Sequence, residues 1–81
     1  MRIPRDISGR ELAASLQRLG YEVSHQTGSH VRLTTRRDGE HHVTIPGHKS
    51  LRIGTISSIL RDVSEHHGLS RQDLIELLFP N

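Results

Sequence analysis

The stretch that decides the fold is SHVRLTTRRDGEHHVTIP, residues 29–46. Apolar and polar residues alternate in both halves, which is the pattern of two half-buried strands. The apolar positions are Val31, Leu33, Val43 and Ile45. Asp38-Gly39 between the halves is a typical hairpin turn. Strand parity predicts an opposite, polar face that carries His30, Arg32, Thr34, His42 and Thr44.

A third strand is predicted just before this hairpin. In YEVSHQ, residues 21–26, Tyr21 and Val23 alternate with polar residues, and Thr27-Gly28 supplies the turn into the next strand. The three strands therefore form an antiparallel meander with one apolar and one polar face. The same alternation predicts that His25 points toward the core as a buried ring.

Along the sequence, one predicted helix precedes the three strands and two follow them. Ser8 and Glu11 have the spacing of a capping box, which begins a helix over about residues 8–19 that ends at Gly20. A second apolar stripe predicts a helix over about 54–66, closed by Gly68. Ser70 and Asp73 form a second capping box before a short third helix, which stops at Pro80. The prediction is an α+β fold of order α-β-β-β-α-α, with the helices on one face of a three-stranded antiparallel sheet.

Length and composition limit the class of protein. A chain of 81 residues predicts a single domain over 1–81. It has no cysteine, no apolar run of membrane-spanning length and no signal-type h-region, so we expect a cytoplasmic protein without a membrane partner. Residues 30–52 hold five basic and two acidic residues, a net charge of +3. A basic segment of this kind indicates either a polyanion partner or a hairpin kept soluble by its arginines.

Seven histidines invite a metal-binding interpretation, which the spacing does not favour. A zinc site needs three or four converging ligands, and no H-x-x-x-H pattern is present. His41 and His42 should face opposite sides of a strand. The adjacent pair His66 and His67 is better explained by the dipole at a helix C-terminus. We therefore expect no metal and no cofactor.

His30 follows a glycine turn at the start of a strand. Its simplest interpretation is a solvent-facing strand residue, since no Ser-His-Asp or Cys-His partner is visible. The alternative is RNA cleavage, in which the substrate's 2′-hydroxyl is the nucleophile. The protein then has to move protons near neutral pH and hold a phosphate, and His30 with Arg32, Ser29 and the Gly28 turn supplies those groups.

Several motifs together resemble one family. Gly28-Ser29-His30 opens the second strand, VTIPGH at 43–48 follows the V-x-x-P-x-H pattern, and Gly54-Thr55 precedes Ile59-Leu60. With SGRELAASLQRLGYEV before them and GLSRQDLIELL after them, they resemble the HicA toxins, small bacterial messenger-RNA interferases.

The resemblance has definite implications. It implies a fold like that of double-stranded-RNA-binding domains, an endoribonuclease that cleaves mRNA with His30 as catalytic residue, and a HicB-type antitoxin that blocks the active face. The residues expected to contact RNA are Gly28, Ser29, Arg32, Arg36, Arg37, Lys49 and Arg52.

Two alternatives remain open. One is an RNA-binding module without catalysis, although residues 53–56 lack the lysine cluster that true double-stranded-RNA-binding domains place there. The other is an interaction protein whose basic face binds an acidic partner.

Overall fold

The computed structural model describes residues 3–80 of the chain. Helix α1 spans Gly9–Leu16 and continues as a 3₁₀ turn over Gln17–Leu19. Strands β1 (Glu22–Thr27), β2 (His30–Thr35) and β3 (His41–Pro46) follow, and then helices α2 (Ile53–His67) and α3 (Arg71–Leu78). The predicted α+β class and the order of elements are confirmed.

The helix ends follow the local signals in the sequence. The Ser8 hydroxyl accepts a hydrogen bond from the Glu11 N–H at 3.0 Å, and the Ser8 N–H donates to the Glu11 carboxylate at 2.9 Å. This complete capping box begins α1 as predicted. At α3 the Ser70 hydroxyl accepts from the Asp73 N–H at 3.0 Å. Within residues 3–80 the return bond is absent, because the aspartate side chain is one methylene shorter than glutamate.

The sheet is antiparallel with strand order β1-β2-β3. Strands β2 and β3 pair without interruption from His30 opposite Pro46 to Thr35 opposite His41. Leu33 and Ile45 are buried while Arg32 and Thr44 are exposed, so the predicted parity of these two strands is confirmed.

All the helices contribute to one apolar core on one side of the sheet. Helices α1 and α2 both pack against β3, and α3 packs against α2. The core contains Ile7, Leu12, Leu16, Leu19, Tyr21, Leu33, Val43, Ile45, Leu51, Ile56, Ile59, Leu60, Val63, Leu74, Ile75 and Leu78. Strand β1 lies at the edge of the sheet and every one of its residues is exposed. The opposite side of the sheet, which we call the open face, is polar.

Two kinds of feature are absent from the described residues. Over residues 3–80, no helix combines the length and the apolar character needed to cross a bilayer. In the same range, no group of three or more His, Asp or Glu side chains is arranged to hold a metal ion.

Candidate active site

The candidate site centres on the hairpin turn between β1 and β2. Gly28 and Ser29 form this two-residue turn, and Gly28 has a φ of 54°, which is the left-handed conformation that glycine adopts without steric cost. Thr27 and His30 face each other directly across the turn. His30 is exposed, and its ring makes no hydrogen bond with residues 3–80. Its ring nitrogens therefore face solvent and are accessible to a ligand.

The loop after β3 closes tightly on this turn. The Gly47 N–H donates to the Ser29 carbonyl oxygen, and a Cβ at Gly47 would lie 2.5 Å from that oxygen. Only glycine permits so close an approach of the two backbones. The Gly9 N–H donates to the His48 carbonyl at 2.9 Å, which ties the start of α1 to the same loop. The hairpin turn is thus supported from behind by rigid backbone contacts.

A β-bulge changes the face on which one histidine lies. Val23 pairs with Leu33, but the next pair is His25 with Arg32, so Ser24 is an extra residue in β1. His25 therefore points to the open face and is exposed. The prediction of a buried His25 is wrong, because one inserted residue reverses the parity of the strand beyond it.

Arg32 lies in the middle of the open face, in register with His25 on one side and Thr44 on the other. Among residues 3–80 every ion pair joins a histidine to a carboxylate, so no carboxylate neutralises Arg32. Farther along the face, the Thr34 hydroxyl lies 2.7 Å from both the Ser24 hydroxyl and the His42 ring. The centre of the open face is consequently a free cation among hydroxyls and imidazoles.

A groove runs behind the hairpin turn, on the helix side of the sheet. It has a volume of about 630 Å³, and Gly28 and Ser29 form part of its wall. Ala13, Val23 and Val31 supply apolar surface, while Arg10, His48 and Lys49 supply basic groups. Among the described residues, no carboxylate lines it. Arg10, which sequence reasoning missed, joins the predicted Lys49 here because α1 begins beside the loop after β3.

The other predicted basic residues lie apart from this site. Arg36 follows the end of β2, roughly 20 Å along the strand from His30 at about 3.3 Å per residue. The Arg37 guanidinium donates to the Arg18 carbonyl at 3.1 Å, so it helps to close the end of the first helical segment. Arg52 is the N-cap of α2 and is exposed. The seven predicted RNA contacts therefore form no single cluster.

A second group of histidines lies at the opposite end of the sheet. The Tyr21 hydroxyl is 2.7 Å from His41 Nδ1 and 3.1 Å from His67 Nε2. His66 Nε2 is within 3.1 Å of the carbonyl oxygens of Arg37 and Gly39. His66 and His67 lie in the last turn of α2, at the helix C-terminus as expected, and they also contact the β2–β3 turn. We call Tyr21, His41, His66 and His67 the histidine–tyrosine cluster.

Two aspartate side chains contact this cluster. His41 Nε2 is 3.1 Å from Asp62, and His67 Nδ1 is 2.9 Å from Asp38. Burial, and then the negative charge of Asp62, raises the pKa of Tyr21 to about 12. The phenol is therefore un-ionised at neutral pH, and the cluster holds the sheet against α2.

Comparison with known proteins identifies the family. The family described as HicA toxin of bacterial toxin-antitoxin matches residues 9–64, more than two thirds of the chain. The match includes the hairpin turn, the loop after β3 and most of α2, while α3 lies beyond it. No curated protein and no solved structure gives a significant match. On the strength of the family match, the chain belongs to the HicA toxins of bacterial toxin–antitoxin systems.

Proposed function

We propose that this HicA-family chain is a cytoplasmic endoribonuclease that cleaves messenger RNA, with His30 as its catalytic residue. The observation that carries the proposal is the exposed His30 ring at a rigidly supported hairpin turn, on the same face as the unpaired Arg32. The chemistry needs few groups. His30 exchanges protons with the reacting RNA, and Arg32 together with the amides of the Gly28-Ser29 turn stabilises the charge on the phosphate.

The RNA backbone would approach along basic surface on either side of the turn. Lys49 in the groove and Arg32 on the open face flank His30, and Arg52, Arg36 and Arg37 would extend the electrostatic footprint. If these residues neutralise phosphates, log affinity should fall linearly with log salt concentration. Because Arg36 and Arg37 lie far from His30, replacing both with alanine should flatten this slope while leaving the cleavage step itself intact.

The partner we propose is a HicB-type antitoxin that covers the open face. This face is polar and carries the unpaired Arg32 beside His30, so an inhibitor should present a carboxylate to Arg32 in place of the phosphate it displaces. Such a complex should associate more slowly as ionic strength rises. Amide exchange should show new protection over residues 28–48 on binding. Protection confined to α3 would contradict a shielded open face.

The test of catalysis compares His30→Ala with His42→Ala, a matched change of a histidine on the same face. His42 lies four residue pairs along the sheet from the turn and is already hydrogen-bonded to Thr34. We expect His30→Ala to abolish RNA cleavage and growth inhibition and His42→Ala to retain both. Both variants should unfold at nearly the wild-type urea midpoint, because neither ring belongs to the core.

Two results would contradict the proposal. If His30→Ala cleaves RNA at the wild-type rate, the catalytic assignment is wrong. If the wild-type protein binds RNA with a strong salt dependence but never cleaves it, the non-catalytic RNA-binding module is the correct alternative.

A further inference from the structure

The β-bulge at Ser24 brings a second imidazole to the open face close to His30. His25 pairs with Arg32, and Thr27 pairs with His30, so His25 and His30 are diagonal neighbours on adjacent strands. Diagonal neighbours in an antiparallel pair lie about 7–8 Å apart, which is within reach of aromatic and long side chains. Bulges commonly redirect a side chain beside an active site. A residue spacing of about 7–8 Å leaves room for a phosphodiester between the two side chains.

Thr27 fixes the orientation of the His25 ring. His25 Nε2 lies 2.7 Å from the Thr27 hydroxyl, and the ring makes no other hydrogen bond within residues 3–80. Thr27 is directly opposite His30, so this contact turns His25 toward the hairpin turn. In the imidazolium form, in which both ring nitrogens carry a proton, Nε2–H donates to the Thr27 hydroxyl and Nδ1–H is the proton left to give to a ligand.

We propose that His25 is the second proton-transfer residue of the cleavage reaction and acts as its general acid; the proposal rests on the catalytic function assigned to His30. His30 takes the proton from the 2′-hydroxyl as O2′ bonds to phosphorus. The bond from phosphorus to O5′ then breaks, and the His25 imidazolium gives its Nδ1 proton to O5′. The products are a 2′,3′-cyclic phosphate and a free 5′-hydroxyl, so no water, metal or further reactant is consumed.

The neighbours of His25 place it beside the groups that would hold and cleave the RNA. Arg32 stands opposite on β2 and binds the phosphate, and His30 stands diagonally across. On its own strand Thr27 is the hydrogen-bond partner. In-line displacement at phosphorus requires an acid near the leaving oxygen and a base near the nucleophile, and two imidazoles on diagonal positions can supply both.

The experiment compares two dinucleotide substrates. One has the natural 5′-oxygen leaving group, and the other has a 5′-sulfur leaving group, which departs without needing a proton. His25→Asn should lower kcat/KM on the oxygen substrate by about 10²-fold or more, the usual contribution of a general acid. On the sulfur substrate the same variant should cleave at close to the wild-type rate. His30→Ala should cleave neither substrate, and the matched control His42→Asn should cleave both at the wild-type rate.

The pH profile gives a second readout. A general acid must be protonated, so its removal should abolish the alkaline limb of the kcat/KM profile and leave the acidic limb in place. If His25→Asn lost kcat/KM equally on both substrates, or kept the wild-type rate on the oxygen substrate, His25 would not be the general acid. The assignment of His30 would be unaffected. If His48→Asn, and not His25→Asn, lost activity only on the oxygen substrate, the general acid would lie in the loop after β3. That result would also overturn the role of His25.

Discussion

Replacing Gly9 with alanine should destabilise the protein, although alanine is the better helix former. Gly9 is the first residue of α1 and is buried against the end of β3. An added Cβ would overlap the Pro46 carbonyl oxygen, and it would lie 3.0 Å from the Pro46 carbonyl carbon and 3.1 Å from the Gly47 Cα. These are all backbone atoms, so no side-chain rotation can relieve the contact. Either α1 or the loop after β3 has to move.

The magnitude follows from two opposing effects. Helix propensity favours alanine over glycine by up to about 1 kcal/mol. Forcing an extra carbon into a packed site costs about 1–3 kcal/mol, and displacement also weakens the Gly9–His48 backbone hydrogen bond, worth about 1 kcal/mol. Steric overlap therefore outweighs propensity, and we expect a net loss of about 1–3 kcal/mol.

Gly54→Ala is the matched control. Gly54 lies in the first turn of α2, and no atom of residues 3–80 lies within 4 Å of a Cβ placed there. Propensity then acts alone, so this variant should equal the wild type or gain up to about 1 kcal/mol. Urea unfolding followed by circular dichroism gives the three free energies, provided that the m-values agree. If Gly9→Ala proved as stable as Gly54→Ala, the close packing of α1 on the loop after β3 would be refuted.

Two further predictions concern buried hydroxyls. Tyr21 is the single tyrosine, so ultraviolet titration reads its phenol directly, and we expect a pKa of about 12 in place of the ordinary 10.0. Because the pKa of Tyr21 is higher in the folded state than in the unfolded state, its contribution to stability is intact below pH 10 and is lost as pH rises toward 12. Tyr21→Phe should remove this part of the decline in stability. Titration near the ordinary value would contradict its burial. Thr35→Val deletes a buried hydroxyl that donates to the Leu19 carbonyl at 2.8 Å, so urea unfolding should show a loss of about 1–3 kcal/mol. The exposed Thr44→Val should change stability by less than about 0.5 kcal/mol, and equal losses would contradict this reasoning.

The elements that local signals specify could be predicted from the sequence. The Ser8–Glu11 capping box and the glycines after α1 and α2 fix helix ends through neighbours three or four residues away. Alternation in β2 and β3 fixes which side chains face the core, because a strand with one buried face tolerates no slip. The polar face that carries His30 and Arg32 could therefore be predicted from strand parity alone.

Features that depend on pairing between distant residues could not be predicted. Residues 22–27 contain no glycine, and the alternation of Tyr21, Val23 and His25 is unbroken, so nothing in β1 itself marks the bulge. The bulge exists only in the register of β1 against β2. The histidine–tyrosine cluster likewise joins residues 20 or more positions apart, such as Tyr21 with His41 and His67. No local spacing connects Tyr21 or His41 with the adjacent pair His66 and His67, so their contact could not be predicted from the sequence.

The hydrogen bonds of the histidine–tyrosine cluster bear on the charge of the molecule. Four contacts run in a line from Asp62 through His41, Tyr21 and His67 to Asp38. Two neutral imidazoles and one phenol supply three protons, yet four hydrogen bonds between these groups require four. The line is complete only with a fourth proton, held by an imidazole or by one of the two carboxyl groups. With that proton the chain carries one unit more than the formal +2, which is counted with neutral histidines and charged carboxylates. The added positive charge lies at the end of the sheet opposite His30.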